Sequence, residues 1–305
     1  MDYDIVIVGG GIAGLSAALT AARAGKRTII FTGGVPGGEL LNIELVDGIP
    51  GQEFGIAGFD LCPIAQEQAT NAGAELLMDE VTAIVPEAEG WKVTAGKEVT
   101  AHAVILATGA HVMKLDVPGA DEFVGKGVSH CATCDGPLLR GKVAVVAGGG
   151  DSGLQEALTL AQHCEKVVVA EKSGALHGQP TYREAAEANP KIEILTGHEV
   201  VAIEGADKVE RVRLRDASGT ESEVAAAGVF AFTGLAANSA LADGLVDLDE
   251  NGRVVTDGAM RASARGIFAA GNLRSGNSWR AAGAMGDGAS AAISAVRYLD
   301  SSAWV

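Results

Sequence analysis

The chain has 305 residues, room for about two domains, and 48% of them are hydrophobic, enough to fill buried cores. Its 39 acidic and 23 basic residues leave a formal charge of −16, which argues against nucleic-acid binding and against docking on anionic lipid, since both need clustered Lys and Arg. No apolar run reaches the ~18 residues of a membrane span. Four cysteines do not make a disulfide framework, and Met1-Asp2-Tyr3-Asp4 carries no basic leader region, so no membrane attachment and a cytoplasmic location are expected.

Asp4 to Val8 is a short apolar run closed by Gly9 and reads as a buried parallel strand. Gly9-Gly10-Gly11-Ile12-Ala13-Gly14 follows, then a helix of small residues over Leu15 to Ala24, closed by Gly25, and a second strand over Arg27 to Phe31. A strand is expected at Ala103 to Ala107. From Lys142 the opening pattern returns: a strand to Ala147, the turn Gly148-Gly149-Gly150-Asp151-Ser152-Gly153, a helix over Leu154 to His163 and a strand over Lys166 to Ala170. Later strands are expected at Lys191 to Leu195, Lys208 to Leu214, Ala227 to Phe232 and Ile267 to Ala270, with a helix closing the Ala-rich tail between Ala281 and Leu299. Two βαβ units of one design imply an α/β fold with two Rossmann-like, doubly wound, three-layer dinucleotide-binding domains.

Each glycine turn sits between a strand and a helix, the context in which G-x-G-x-x-G cradles a pyrophosphate. Gly9 and Gly148 make the tight turns, Gly11 and Gly150 let the backbone approach the anion, and Gly14 and Gly153 allow helix and strand to pack closely. The acid that ordinarily ends the second strand is missing from the first unit, where Phe31 is followed by Thr32-Gly33-Gly34. Thr108-Gly109 and Gly271-Asn272, each following a strand, are candidates to hold the sugar or ribitol. In the second unit Glu171 ends the strand, placed to bond ribose hydroxyls and repel a 2′-phosphate.

Cys131-Ala132-Thr133-Cys134-Asp135-Gly136 precedes the second unit. Its C-x-x-C spacing lets two thiols close and open a small ring. Half a zinc site would share that spacing, but the remaining cysteines, Cys62 and Cys164, are isolated, and no metal is expected.

With these motifs, Pro36-Gly37-Gly38, Ile105 to Ala110, Val117-Pro118-Gly119, Gly127 to His130 and Phe268 to Gly271, nearly the whole chain resembles the low-molecular-weight thioredoxin reductases. The resemblance implies a discontinuous FAD-binding domain, residues 1–115 and 241–305, around a nicotinamide-binding domain, 116–240, that carries the redox disulfide. It implies a homodimer that reduces a thioredoxin-like protein or a small disulfide. Cys134 would face the flavin, Cys131 would attack the partner's disulfide, and Asp135 would supply the proton. Gly38, Glu39, Gly271, Asn272, Trp279, Arg280 and Ala281 would fall at the flavin.

Some of these positions depart from the family pattern. Glu39 stands for Gln, Asn272 for Asp, and Trp279-Arg280-Ala281 for Arg-Gln-Ala. Where the family places basic residues for the 2′-phosphate, this chain has Glu171-Lys172-Ser173, with His177 at the later Arg. NADH is therefore expected over NADPH, or a site no longer used. Two other classes stay open: a dithiol oxidase or ferredoxin-driven reductase that does not use NADPH, and a flavin-bound redox sensor.

Overall fold

The computed structural model describes residues 1–301 and Trp304, and the chain forms two compact units: residues 1–111 with 236–305, and residues 112–235.

The first unit is built on a seven-stranded sheet. Tyr3–Val8 lies between Thr28–Phe31 and Glu98–Leu106, parallel to both, with Ile7 opposite Ile30 on one side and Ile105 on the other. Glu75–Leu77 adds to the outer edge of Thr28–Phe31. On its other edge the strand Glu98–Leu106 serves two more partners: its first half pairs antiparallel with Gly90–Thr94, which continues to Ala83–Glu87, and its second half pairs parallel with Ile267–Ala269. Side chains alternate across the sheet. Ile5, Ile7 and Ile105 face the helices Ile12–Arg23, Gly58–Asn71 and Ala281–Ser301. Val6, Val8, Phe31 and Leu106 pack on the other face with Trp91, Val254 and Leu273. Burial on both faces explains why these strands read as unbroken apolar runs.

The helices Ile12–Arg23 and Ala281–Ser301 come close enough that a Cβ at Gly288 would strike the Ala13 carbonyl. That proximity, permitted by small residues, brings the start of one helix beside the start of the other.

The second unit repeats the plan. A parallel sheet runs Ile192–Thr196, Lys166–Glu171, Val143–Ala147, Gly228–Ala231, Val128–Ser129. Asp151–His163 and Pro180–Ala188 cover one face. An antiparallel meander, His198–Glu204, Arg211–Asp216 and Glu221–Ala225, packs on the other. Both glycine-turn helices start earlier than their apolar periodicity predicts, at Ile12 and Asp151, because each begins directly after the second glycine of its turn. The expected strand Lys208 to Leu214 is found at Arg211–Asp216, because residues 206–208 form the bend that leads into it from His198–Glu204.

Candidate functional site

Gly9 has φ +111° and Gly148 has φ +116°, a region glycine enters readily. A Cβ at either would run into a carbonyl, that of Ala107 or Phe232. Gly14 and Gly153 lie inside their helices, where a Cβ would strike the carbonyl of Gly9 or Gly148. Gly11 and Gly150 immediately precede the helices, have open space at their Cβ positions, and leave both helix N-termini without a side-chain cap. An uncapped helix start with its N–H groups outward suits an anion.

Beside the first turn is a cavity of about 250 Å³ lined by Gly9, Gly11, Gly38, Glu39, Thr108, Gly109, Gly271, Asn272, Trp279, Arg280 and Ala281. Four separated stretches of sequence thus meet around one space. Of the candidates in this unit, only Gly14 is not on its wall, being in the helix behind it. The cavity shares Gly9, Thr32, Thr108 and Asn238 with a second, of about 1090 Å³, that extends past Phe31 and Gly33 to Val81 and Thr82. Together they form a trough of two compartments joined at the glycine turn. Asn272 Oδ1 is buried on its wall with no hydrogen-bond partner among the described residues.

Two polar networks missed in the sequence shape this trough. Thr108 Oγ1 donates to the Asn238 carbonyl (2.7 Å), Asn238 Nδ2 donates to the Thr108 carbonyl (2.9 Å), and Asn238 Oδ1 lies 2.6 Å from His111 Nδ1. This clasp joins the segments where the chain leaves and re-enters the unit. In the second, Asp287, buried on the helix Ala281–Ser301, accepts from Arg274 Nε (2.7 Å) and Nη2 (3.0 Å) and from Asn277 Nδ2 (2.9 Å). Asn277 Oδ1 accepts the Trp279 N–H (2.7 Å), holding Trp279 at φ +56°, with the Arg253 guanidinium 4.6 Å from its ring centroid. An Asp within an Ala-Gly helix was the available sequence signal.

In the second unit Cys131 and Cys134 form a disulfide with their Cα atoms 5.3 Å apart. Cys131 caps the short helix Ala132–Asp135: its Sγ accepts the Cys134 N–H (3.2 Å) and its carbonyl accepts the Asp135 N–H (3.1 Å). Cys134 is exposed, while Cys131 and Asp135 are half-buried. Cys62 and Cys164 are buried and free, and burial pushes the Cys62 thiol up to about 11. Among the described residues no group of three or more His, Cys, Asp or Glu is placed to hold a metal ion.

Glu171 ends its strand against the second glycine turn. Its Oε2 accepts the Gly149 N–H (2.6 Å), and its Oε1 accepts the Ser173 N–H (2.8 Å) and Oγ–H (2.6 Å). Burial pushes this carboxyl up, but the Ser173 and Gly149 bonds outweigh it and hold it below the ordinary carboxylate value. Ser173 Oγ also lies 2.7 Å from His177 Nε2. Lys172 reaches instead to Glu199 (2.8 Å).

Two glycine-turn α/β units, one holding a two-compartment trough and the other a C-x-x-C disulfide, define a flavoprotein oxidoreductase of thiols and disulfides. The chain matches the pyridine nucleotide-disulphide oxidoreductase family over residues 3–288 and belongs to that family, among the low-molecular-weight thioredoxin reductases. It is 40% identical over 301 residues to a thioredoxin reductase of Treponema pallidum, covering 98% of each chain. It is 37% identical, over 97% of its own length and 66% of the relative's, to a Mycobacterium leprae protein named bifunctional thioredoxin reductase/thioredoxin. The crystal structure of Lactococcus lactis thioredoxin reductase is similar with a TM-score of 0.95 at 34% identity, covering 98% of this chain and 99% of that one.

Proposed function

We propose that the chain is an FAD-dependent disulfide reductase that passes electrons from a reduced donor through Cys131 and Cys134 to a thioredoxin-like protein. The observation that carries this reading is the Cys131–Cys134 disulfide at the start of a helix in a unit that also holds a glycine turn. The relative that joins thioredoxin reductase and thioredoxin in one name supports the partner class. The homodimer comes from the same family likeness, and light scattering of the purified protein tests it.

The first unit fits FAD. The pyrophosphate would lie at the start of the helix Ile12–Arg23, where Gly9 and Gly11 open the backbone. The ribitol would find Thr108, Gly109 and Asn272, whose unpaired Oδ1 accepts a hydroxyl hydrogen. Gly38, Glu39, Gly271, Trp279, Arg280 and Ala281 would surround the ring end. When bound, FAD takes up a donor's electron pair and hands it to a disulfide. The reduced Cys131 thiolate then attacks the partner's disulfide, and Cys134 displaces the partner from the mixed disulfide as Asp135 supplies and recovers the proton.

In the second unit Gly148, Gly150, Gly153 and Glu171 would hold NADH. The carboxylate of Glu171 accepts ribose hydroxyls and repels a 2′-phosphate, and the adjacent Lys172 is engaged by Glu199. A second reading rests on Trp279. Its ring, held on the trough wall beneath Arg253, stands where the family has Arg and narrows access for a nicotinamide. That favours a ferredoxin-like donor, or a dithiol donating electrons to oxygen.

Anaerobic titration with NADH, NADPH and a dithiol, followed by flavin bleaching, distinguishes these. NADH bleaching supports the main reading. Bleaching by dithiol alone, with reoxidation in air, supports the oxidase. Heat-released cofactor with the mass of FMN would overturn the FAD assignment.

A further inference from the structure

The redox helix is short, and its Ala132 packs in one apolar cluster with Leu154, Ala157 and Leu160 of the helix Asp151–His163. The acid in that packing is Glu156. It lies on the buried face of the helix Asp151–His163, beside Leu154, Ala157, Leu160 and Ala161, and is 7% exposed. Its Oε2 accepts the Ala132 N–H at 2.7 Å. Ala132 is itself fully buried and follows Cys131 directly. A carboxyl group is therefore seated at the first N–H of the helix that carries both sulfurs.

We infer that Glu156 is a positioning residue that fixes the redox helix and keeps the Cys131–Cys134 pair strongly reducing. The argument is one of charge. In a C-x-x-C motif the free N–H groups of the helix start ordinarily stabilise a thiolate and make the dithiol easier to form. Here one of those N–H groups is taken by an acid, whose carboxylate form places a negative charge at the N–H of the residue that follows Cys131. The disulfide is neutral and indifferent to it. The reduced pair, once a thiol has ionised, is repelled by it. Glu156 thus disfavours the reduced form relative to the disulfide, and a dithiol so disfavoured gives its electrons up more readily to a partner. The hydrogen bond serves the same end, since it spends an N–H that could otherwise have faced sulfur. The other ionisable groups at the loop are Asp135 in the same short helix, His130, whose Nδ1 lies 3.2 Å from the Ala231 carbonyl, and His163, whose ring borders Gly136. None of them bonds the Ala132 N–H.

This inference rests on the reading of Cys131–Cys134 as a redox pair, and the experiment keeps the two apart. FAD-loaded wild type, Glu156→Gln and Glu156→Ala are equilibrated in glutathione buffers at pH 7.0 and 8.5. The balance is one protein disulfide and two glutathione thiols giving one protein dithiol and one glutathione disulfide. The dithiol fraction is read by alkylation and mass. Glu156→Gln retains an acceptor for the Ala132 N–H and removes the charge. Its equilibrium at pH 8.5 should move toward the dithiol by about tenfold, which is about 30 mV for a two-electron couple. Its reduced pair should also react with iodoacetamide several-fold faster at pH 7.0. A purely structural role would move the melting temperature but neither of these. Glu156→Ala adds loss of the cap, and if it fails to fold, Glu156→Gln alone decides. An unchanged equilibrium in folded Glu156→Gln, or a move toward the disulfide, overturns the inference. Wild-type protein whose disulfide does not interconvert in any buffer overturns the functional reading itself.

Discussion

Replacing Glu171 by Gln removes one charge from the second glycine turn and leaves the backbone trace able to persist. The carboxylate holds Gly149 and Ser173 through three hydrogen bonds at 2.6–2.8 Å, so it cannot swing away from an incoming nucleotide without breaking them. A 2′-phosphate dianion about 5 Å from it is repelled by about 2 kcal/mol even with the dielectric of water, roughly 30-fold in affinity. The amide forfeits one acceptor, a cost of about 1–3 kcal/mol in stability, which a melting curve records separately. Calorimetric titration with NAD⁺ and NADP⁺ should therefore show wild type preferring NAD⁺, and Glu171→Gln should narrow the ratio by about 10–30-fold. The carboxyl is held below its ordinary value of 4.5 when folded, so its stabilising contribution is present above that value and lost as pH falls through the lower folded one. The carboxylate therefore stays charged from pH 8 to pH 5, whereas a 2′-phosphate takes up a proton at about pH 6, so the preference should hold from pH 8 to pH 7 and weaken several-fold toward pH 5. Wild type that binds NADP⁺ as tightly as NAD⁺, or a ratio that Glu171→Gln leaves unmoved, would refute the reasoning.

Cys134→Ser and Cys131→Ser should each leave the flavin reducible by its donor but abolish turnover of a thioredoxin disulfide, with only Cys131→Ser leaving a sulfur able to perturb the flavin spectrum. Asp135→Asn should slow turnover by roughly 10²–10⁴-fold, the range for loss of a general acid, with flavin content unchanged. Gly288→Val should cost about 1–3 kcal/mol through overpacking against the Ala13 carbonyl, seen as a lower melting temperature and reduced cofactor retention, because both helices begin at the trough.

The parts of the fold legible in the sequence are those whose signal is local. Tyr3–Val8 and Val143–Ala147 are buried on both faces and cannot be mistaken, and the glycine turns declare their helices. Glu98–Leu106 was seen only in its second half. Its first half is partnered antiparallel and alternates Glu98, Thr100 and His102 with Val99, Ala101 and Ala103, a weaker pattern than an apolar run. Helix is expected around Cys62, and Pro63 inside Gly58–Asn71 is what blurs its bounds. At the site, the first-unit residues named by motif, Gly14 apart, line one cavity. Asn238, Asn277 and Glu156 were invisible, and Asp287 showed only as an acid in an Ala-Gly helix, because each matters through a partner 10 to 130 positions away, and no spacing rule encodes that. The φ of Trp279 is likewise a product of Asn277, not of its own preference.

The trough wall draws on residues near 10, 38 and 108 and again on residues 238 and 270–284, which ties cofactor capture to the order of synthesis. At about 5–20 residues per second, the ribosome needs roughly 10–40 s to pass from residue 111 to residue 305. During that time the first unit lacks the strand Ile267–Ala269, the Asn238 clasp and the whole helix Ala281–Ser301. The second unit is continuous from Val112 to Leu235 and can close in the interval. The nascent chain therefore emerges with its disulfide-bearing unit complete while the first unit still lacks the last segment of its trough wall. A chain stopped before residue 267 should be colourless, whatever the flavin supply, yet still able to close Cys131 onto Cys134.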